Sequence, residues 1–244
     1  MSRINLVITE KPIFQSAVIL RNPAFGGATK NLLRSFVALL LRMTKRGFLV
    51  IILSIFLSGC VKQEIRNLNA QGANIVCFGD SITFGYGANP GEDYPTALGK
   101  LVRLPVINSG VDGDTTFAAL ERLENDVLAK NPRLVIVEFC GNDFLKKIPK
   151  EDTVKNLAVI IERIQEKGAM VALVDISAGM LFWEYGVAFR KLAAEKRAIF
   201  IPVILNRIIT NPAMKSDFFH PNARGYQVIA KRIYRAIAAY IKDK

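Results

Sequence analysis

From Ile75 onward, short continuous apolar runs alternate with longer stretches whose apolar residues recur every three or four positions. The runs are Ile75-Val76-Cys77-Phe78, Pro105-Val106-Ile107, Leu134-Val135-Ile136-Val137-Glu138-Phe139, Met170-Val171-Ala172-Leu173-Val174 and Ala198-Ile199-Phe200-Ile201. Unbroken Val/Ile/Leu runs of this length suit strands buried on both faces of a parallel sheet. Between them, residues 153–166 place Leu157, Ile160, Ile161 and Ile164 on one helical face. Residues 223–241 do the same with Tyr226, Ile229, Ile233, Ile237 and Tyr240. This alternation predicts a three-layer α/β/α domain over residues 74–244, with a doubly wound parallel sheet of about five strands. No internal repeat or low-complexity tract interrupts it. In such sheets ligands bind beyond the carboxyl ends of the strands. The polar, glycine-containing segments gather there: Gly79-Asp80-Ser81 after the first strand, Asp112-Gly113-Asp114 after the second, Gly141-Asn142-Asp143 after the third.

The pattern upstream is different. Residues 43–60, MTKRGFLVIILSIFLSGC, combine a basic start (Lys45, Arg46), ten apolar-rich residues and a small-residue end. Ten helical residues span roughly 15 Å, half of a bilayer's hydrocarbon core. A secretory leader over residues 43–59 is therefore expected rather than a membrane span. Its Leu57-Ser58-Gly59-Cys60 ending closely resembles the lipobox of bacterial lipoproteins, which implies Cys60 as a lipidated first residue after cleavage. Residues 60–73 then read as the lipidated cysteine and a linker. Residues 1–42 show no domain pattern and are most simply an extension from a start codon assigned too early, with Met43 the true start.

Charge changes the picture only slightly. The chain of 244 residues is 51% hydrophobic and carries +12, which at first suggests nucleic acid. Residues 1–59 hold eight Lys and Arg against Glu10 alone, so the rest carries only +5. After Cys60 no basic helix or aromatic-basic motif follows, and no nucleic-acid partner is expected. Cys77 and Cys140 lie in apolar runs and read as small buried hydrophobes, with a bond between them the alternative.

A serine hydroxyl needs a neighbouring base to become a nucleophile, and histidine is the usual one. His220 is the chain's single histidine, so any His-dependent mechanism uses it. Asp217, three residues earlier, can hold the imidazole's other N–H and stabilise its cation; alone, the pair could equally be a helix-capping Asp beside a surface His. Asp80 reads as a turn residue bonding its own backbone, and Asp112 as solvated. Asp80, Asp114 and Asp143 could suggest a metal cluster, but no second histidine supports one. Phe182, Trp183 and Tyr185, and likewise Phe218 and Phe219, could line an acyl pocket or simply pack.

Four blocks occur in order: Gly79-Asp80-Ser81-Ile82, Asp112-Gly113-Asp114-Thr115, Gly141-Asn142-Asp143 and Asp217-Phe218-Phe219-His220-Pro221-Asn222. They resemble the signature blocks of the SGNH, or GDSL, hydrolases from about Ile75 to the C-terminus. The nearest likeness is to the bacterial thioesterase I, lysophospholipase and arylesterase group. The resemblance implies the flavodoxin-like fold of that family and no metal or cofactor. It implies Ser81 as nucleophile, His220 as base with Asp217 orienting it, and an oxyanion hole from the Ser81 and Gly113 backbone N–H groups and the Asn142 amide. One departure stands out. The third block in the family usually reads Gly-x-Asn-Asp, and Cys140 holds the first glycine's place, which leaves that loop's backbone open. The expectation is a monomeric serine esterase in the bacterial envelope, lipid-anchored on its periplasmic or extracellular face. Its substrates would be lysophospholipid or fatty-acyl (or thio-) esters. An O-acetyl esterase of envelope carbohydrate and a catalytically silent envelope-binding lipoprotein remain the alternatives.

Overall fold

The computed structural model describes residues 64–180 and 182–241. The expected extension, leader and Cys60 lie outside them. Five parallel strands, β1 (Asn74–Gly79), β2 (Val106–Gly110), β3 (Pro132–Glu138), β4 (Met170–Val174) and β5 (Ile199–Ile201), lie in the order β2-β1-β3-β4-β5. β4 is buried along its whole length and β1 and β3 nearly so, whereas the edge strand β2 is half-exposed. That difference follows from the sequence, since the central runs are apolar on both faces and β2 turns polar after Ile107.

Among the described residues seven α-helices lie between or after the strands: α1 (Ser81–Phe84), α2 (Tyr94–Gly99), α3 (Thr116–Asp126), α4 (Gly141–Leu145), α5 (Lys150–Glu166), α6 (Trp183–Glu195) and α7 (Ala223–Ile237). α2 packs on α7, and α5 packs on both α3 and α6, giving the three expected layers. The stripes Leu157, Ile160, Ile161, Ile164 and Tyr226, Ile229, Ile233, Ile237 are buried. α5 starts at Lys150, earlier than its apolar period, because its first turn is polar; Glu151 and Asp152 there complement the helix dipole. α7 stops at Ile237 although the apolar spacing runs on, the chain tightening into a turn with Tyr240 N donating to Ile237 O. Cys77 and Cys140 are both free and buried.

The strand order fixes where a site can form. From β1 the chain crosses to β2 on one side, then returns to β3 on the other, so the loops after β1 and β3 diverge over a crevice. Gly79 is aligned with both Gly110 and Glu138, so the loops after β1, β2 and β3 leave the sheet at one level.

Candidate active site

The loop after β1 carries Ser81 as the first residue of α1, where an amide has no acceptor within the helix. Asp80 caps that turn, Oδ1 accepting from Ile82 N at 3.2 Å, as the turn reading expects. Ser81 is 8% exposed, and its Oγ lies 3.1 Å from His220 Nε2. His220 Nδ1 lies 2.8 Å from Asp217 Oδ2. An Nδ1–H donated to that carboxylate leaves Nε2 free to accept from the serine hydroxyl. Asp217 Oδ1 also accepts from the backbone N–H groups of Phe219 and His220, each at 2.8 Å. Burial pushes the Asp217 carboxyl up, but the hydrogen bonds from the His220 ring and these two amides outweigh it and hold it below the usual range.

The loop bearing the histidine is tied at several points. Ser216 N donates to His220 O at 3.0 Å. Asn222 caps α7 through Arg224 N and Gly225 N while its amide donates to Ala213 O and Lys215 O. Tyr86 rests against the imidazole, ring centroids 4.5 Å apart, and Tyr226 donates to Tyr86 O at 2.7 Å. Tyr86 is not recognisable from sequence as part of a site, because an aromatic 134 positions away from a histidine carries no local signal, and Tyr226 reads there only as part of a helical stripe.

Gly113 has φ +76°, a conformation that favours glycine, and Lys146 Nζ holds its carbonyl at 2.9 Å. Asn142 lines the cavity above Ser81. Cys140 adopts φ +148°, a conformation that favours glycine, with a side chain attached. Such strain costs on the order of 1–3 kcal/mol. Comparing two variants that both lack the thiol isolates it. Cys140→Gly should exceed Cys140→Ala in stability by about 1 kcal/mol after glycine's extra chain entropy, roughly 2–4 °C in Tm. A higher melting temperature for Cys140→Ala than for Cys140→Gly would show the position to be unstrained.

A cavity of ≈ 110 Å³ opens over Ser81, walled mainly by Leu145, Ile176, Phe182, Leu205, Ile209 and Phe219. Phe182 is therefore a wall residue, as is Phe219, while Tyr185 is buried behind them and Trp183 and Phe218 are exposed. Leu205 and Ile209 come from the long loop after β5 and had no motif to reveal them.

Beneath the site lies a group of buried acids. Asp143 anchors α3 and α5, accepting from Thr116 N, Thr116 Oγ1 and Thr153 Oγ1. Asp114 pairs with Arg122 at 2.7 Å, and Arg122 also reaches the Ser109 and Gly79 carbonyls. These contacts tie the loops and helices around the site together, and among the described residues no group of three or more His, Cys, Asp or Glu is arranged to hold a metal ion. Asp112 is exposed at the cavity edge.

Glu138, which sequence reading treated only as a strand residue, is fully buried beside Asp80. Its Oε2 lies 2.8 Å from Thr83 Oγ1, which in turn hydrogen-bonds the Tyr94 hydroxyl at 3.0 Å. Burial raises both acids, Asp80 to about 7 and Glu138 well above its ordinary value. A carboxyl whose folded pKa is raised costs nothing below its unfolded pKa of about 4.3, and lowers stability as pH climbs above that value. Glu138→Gln mimics the protonated acid. It should match wild type at pH 4 and exceed it at pH 8 by on the order of 1–3 kcal/mol, read from denaturant melts. A constant difference at both pH values would rule out a proton held at Glu138.

Comparison with known proteins fits this arrangement. Residues 77–228 match the model of the GDSL-like lipase/acylhydrolase family. An arylesterase of Vibrio mimicus is 27% identical over 179 residues, covering 68% of this chain and 89% of its own. The thioesterase 1/protease 1/lysophospholipase L1 of Escherichia coli K12 is 27% identical over 169 residues, covering 66% and 81%. The crystal structure of AlinE4, an SGNH-hydrolase family esterase, superposes with a TM-score of 0.54 at 30% identity, over 71% of this chain and 98% of that one.

Proposed function

This chain belongs to the GDSL-like lipase/acylhydrolase family, and from that membership we infer a serine esterase working through an acyl-enzyme on Ser81. The observation that carries the reading is the continuous hydrogen-bonded line from Ser81 Oγ through the His220 ring to Asp217. Ser81 Oγ attacks the ester carbonyl carbon as His220 Nε2 takes its proton. The negative oxygen so formed is received by the Ser81 and Gly113 backbone N–H groups and the Asn142 side-chain amide. His220 then passes the proton to the departing alcohol (or thiol). Water attacks the acyl-serine, gives its proton to His220, and the acid leaves as Ser81 regains its hydrogen.

The acyl group lies against Leu145, Ile176 and Phe182, which supports an aliphatic acid half. The cavity of ≈ 110 Å³ is walled mainly by apolar side chains and opens to solvent, which suits an acyl chain entering from outside. A longer fatty-acyl or lysophospholipid chain continues over the exposed Phe144, Leu145 and Trp183. A second reading is an O-acetyl esterase of envelope carbohydrate, whose acetyl group would occupy the part of the same cavity next to Ser81. The lipobox-like ending at Cys60 supports attachment to a bacterial membrane by an acyl anchor.

The test is a series of p-nitrophenyl esters from acetyl to palmitoyl. Turnover that rises beyond acetyl and falls roughly 100- to 1,000-fold in Asn142→Ala is the expected outcome. A peak at acetyl selects the second reading, and correctly folded protein that cleaves no ester ends both.

A further inference from the structure

The two ends of the sheet differ in charge. The segments that feed the strands, residues 64–73, 99–105, 127–131, 167–169 and 196–198, carry seven basic residues against the single acid Glu64. These are Arg66, Lys100, Arg103, Lys130, Lys167, Lys196 and Arg197, and all but the half-buried Lys196 are exposed. The segments leaving the strands and surrounding the Ser81 site, residues 80, 85–93, 111–115, 139–140, 146–149, 175–182 and 202–222, hold seven acids against four bases. Basic charge is thus gathered at the end of the domain remote from the site.

The chain also enters at that end. Arg66 N donates to Arg197 O at 2.8 Å, and Asn67 Nδ2 donates to Gln165 O and Ala169 O at 2.7 and 2.9 Å. Glu64 pairs with Arg197 at 2.8 Å. Residue 64 is therefore held beside the starts of β4 and β5. Cys60 lies four residues upstream, and four residues reach at most about 14 Å. The site lies at the other end of the strands, and the seven residues of β3 alone extend roughly 23 Å.

We propose that the amino edge of the sheet is the face that docks on an anionic lipid surface, so that the Ser81 site opens away from the bilayer. The proposal rests on the reading of Cys60 as an anchor for the direction of approach, and on the basic face for the contact itself. Exposed cations at this face lie within a Debye length of about 8 Å of anionic headgroups at physiological salt, where they attract. An orientation of this kind deepens the esterase reading. Substrate is taken from the space facing the cell envelope's interior or exterior rather than drawn out of the leaflet that holds the anchor. The positive charges at Lys100, Lys167 and Lys196 also complement helix C-termini. That role alone would leave membrane contact unaffected.

Trp183 is the only tryptophan and is 55% exposed on the site side, so it reports orientation directly. The experiment compares the full chain with its Trp183→Phe/Lys167→Trp variant on phosphatidylcholine/phosphatidylglycerol vesicles whose acyl chains carry bromine. Bromine should quench the variant's emission at least by half and leave Trp183 emission unchanged. Adding Lys100→Glu and Lys130→Glu should abolish the quenching at position 167, with an unchanged thermal unfolding transition showing the fold intact. Quenching of Trp183, quenching of neither, or quenching at 167 that survives the charge reversals overturns the proposal. The anchor is judged separately, by acyl mass on Cys60 and by release of Cys60→Ser from neutral vesicles. Loss of that anchor with quenching at 167 retained removes the anchor reading and leaves the docking face.

Discussion

Ser81→Ala should lower kcat/KM on a p-nitrophenyl ester by roughly 10⁴- to 10⁶-fold, and adding His220→Ala to it should cost almost nothing more. The size follows from what is lost: without the hydroxyl no acyl-serine forms, and the remaining turnover is that of water beside the proposed Gly113 and Asn142 donors. The absence of a second penalty is the sharper part. His220 Nε2 acts on Ser81 Oγ across 3.1 Å, so a base with no nucleophile to serve contributes nothing. Each single variant should therefore resemble the double. Additive losses would mean that the two side chains work in separate steps. Both substitutions leave the core untouched, so unchanged melting curves should accompany the loss.

Asp217→Asn should cost less, about 100- to 10,000-fold, and mainly through kcat. Asparagine can keep its carbonyl oxygen on the Phe219 and His220 amides, which preserves the loop. Its NH₂ group then faces His220 Nδ1 and asks that nitrogen to accept, which moves the ring proton to Nε2 and leaves no acceptor for the serine proton. The Asp217 side chain is 44% exposed, so water can partly replace the carboxylate and the lower half of that range is expected. A loss as large as that of Ser81→Ala would mean that the loop, not the tautomer, has failed. A variant retaining wild-type kcat would remove Asp217 from the hydrogen-bonded line.

Much of this arrangement is written in local patterns. β1, β3 and β4 are apolar on both faces, which only a strand covered on both sides requires, and α5 and α7 each bury an unbroken stripe. Helix ends were less legible, since the first turn of α5 is polar and α7 stops at Ile237 while the apolar spacing runs on to Tyr240. Ser81, Asn142 and His220, which the fold brings to one cavity, stood out because each lies in a short polar block of the sequence. Glu138 could not. A single acid within an apolar run looks like a surface position until the register sets it beside Asp80 and Thr83. Tyr86, Leu205 and Ile209 were hidden for a related reason, since they reach the site from loops whose course depends on tertiary packing. Cys140 was visible as a departure from glycine, but only the backbone angle turns it into a strained residue.

The most direct measurement is covalent: incubate the protein with an alkyl fluorophosphonate, digest it and map the adduct by mass spectrometry. Attack by Ser81 Oγ on phosphorus expels fluoride, so one phosphonyl group should appear on the peptide containing Ser81. The adduct should be absent from Ser81→Ala and formed far more slowly in His220→Ala. Labelling at another serine, or labelling of Ser81 that proceeds at an unchanged rate without His220, would contradict a nucleophile activated through this histidine.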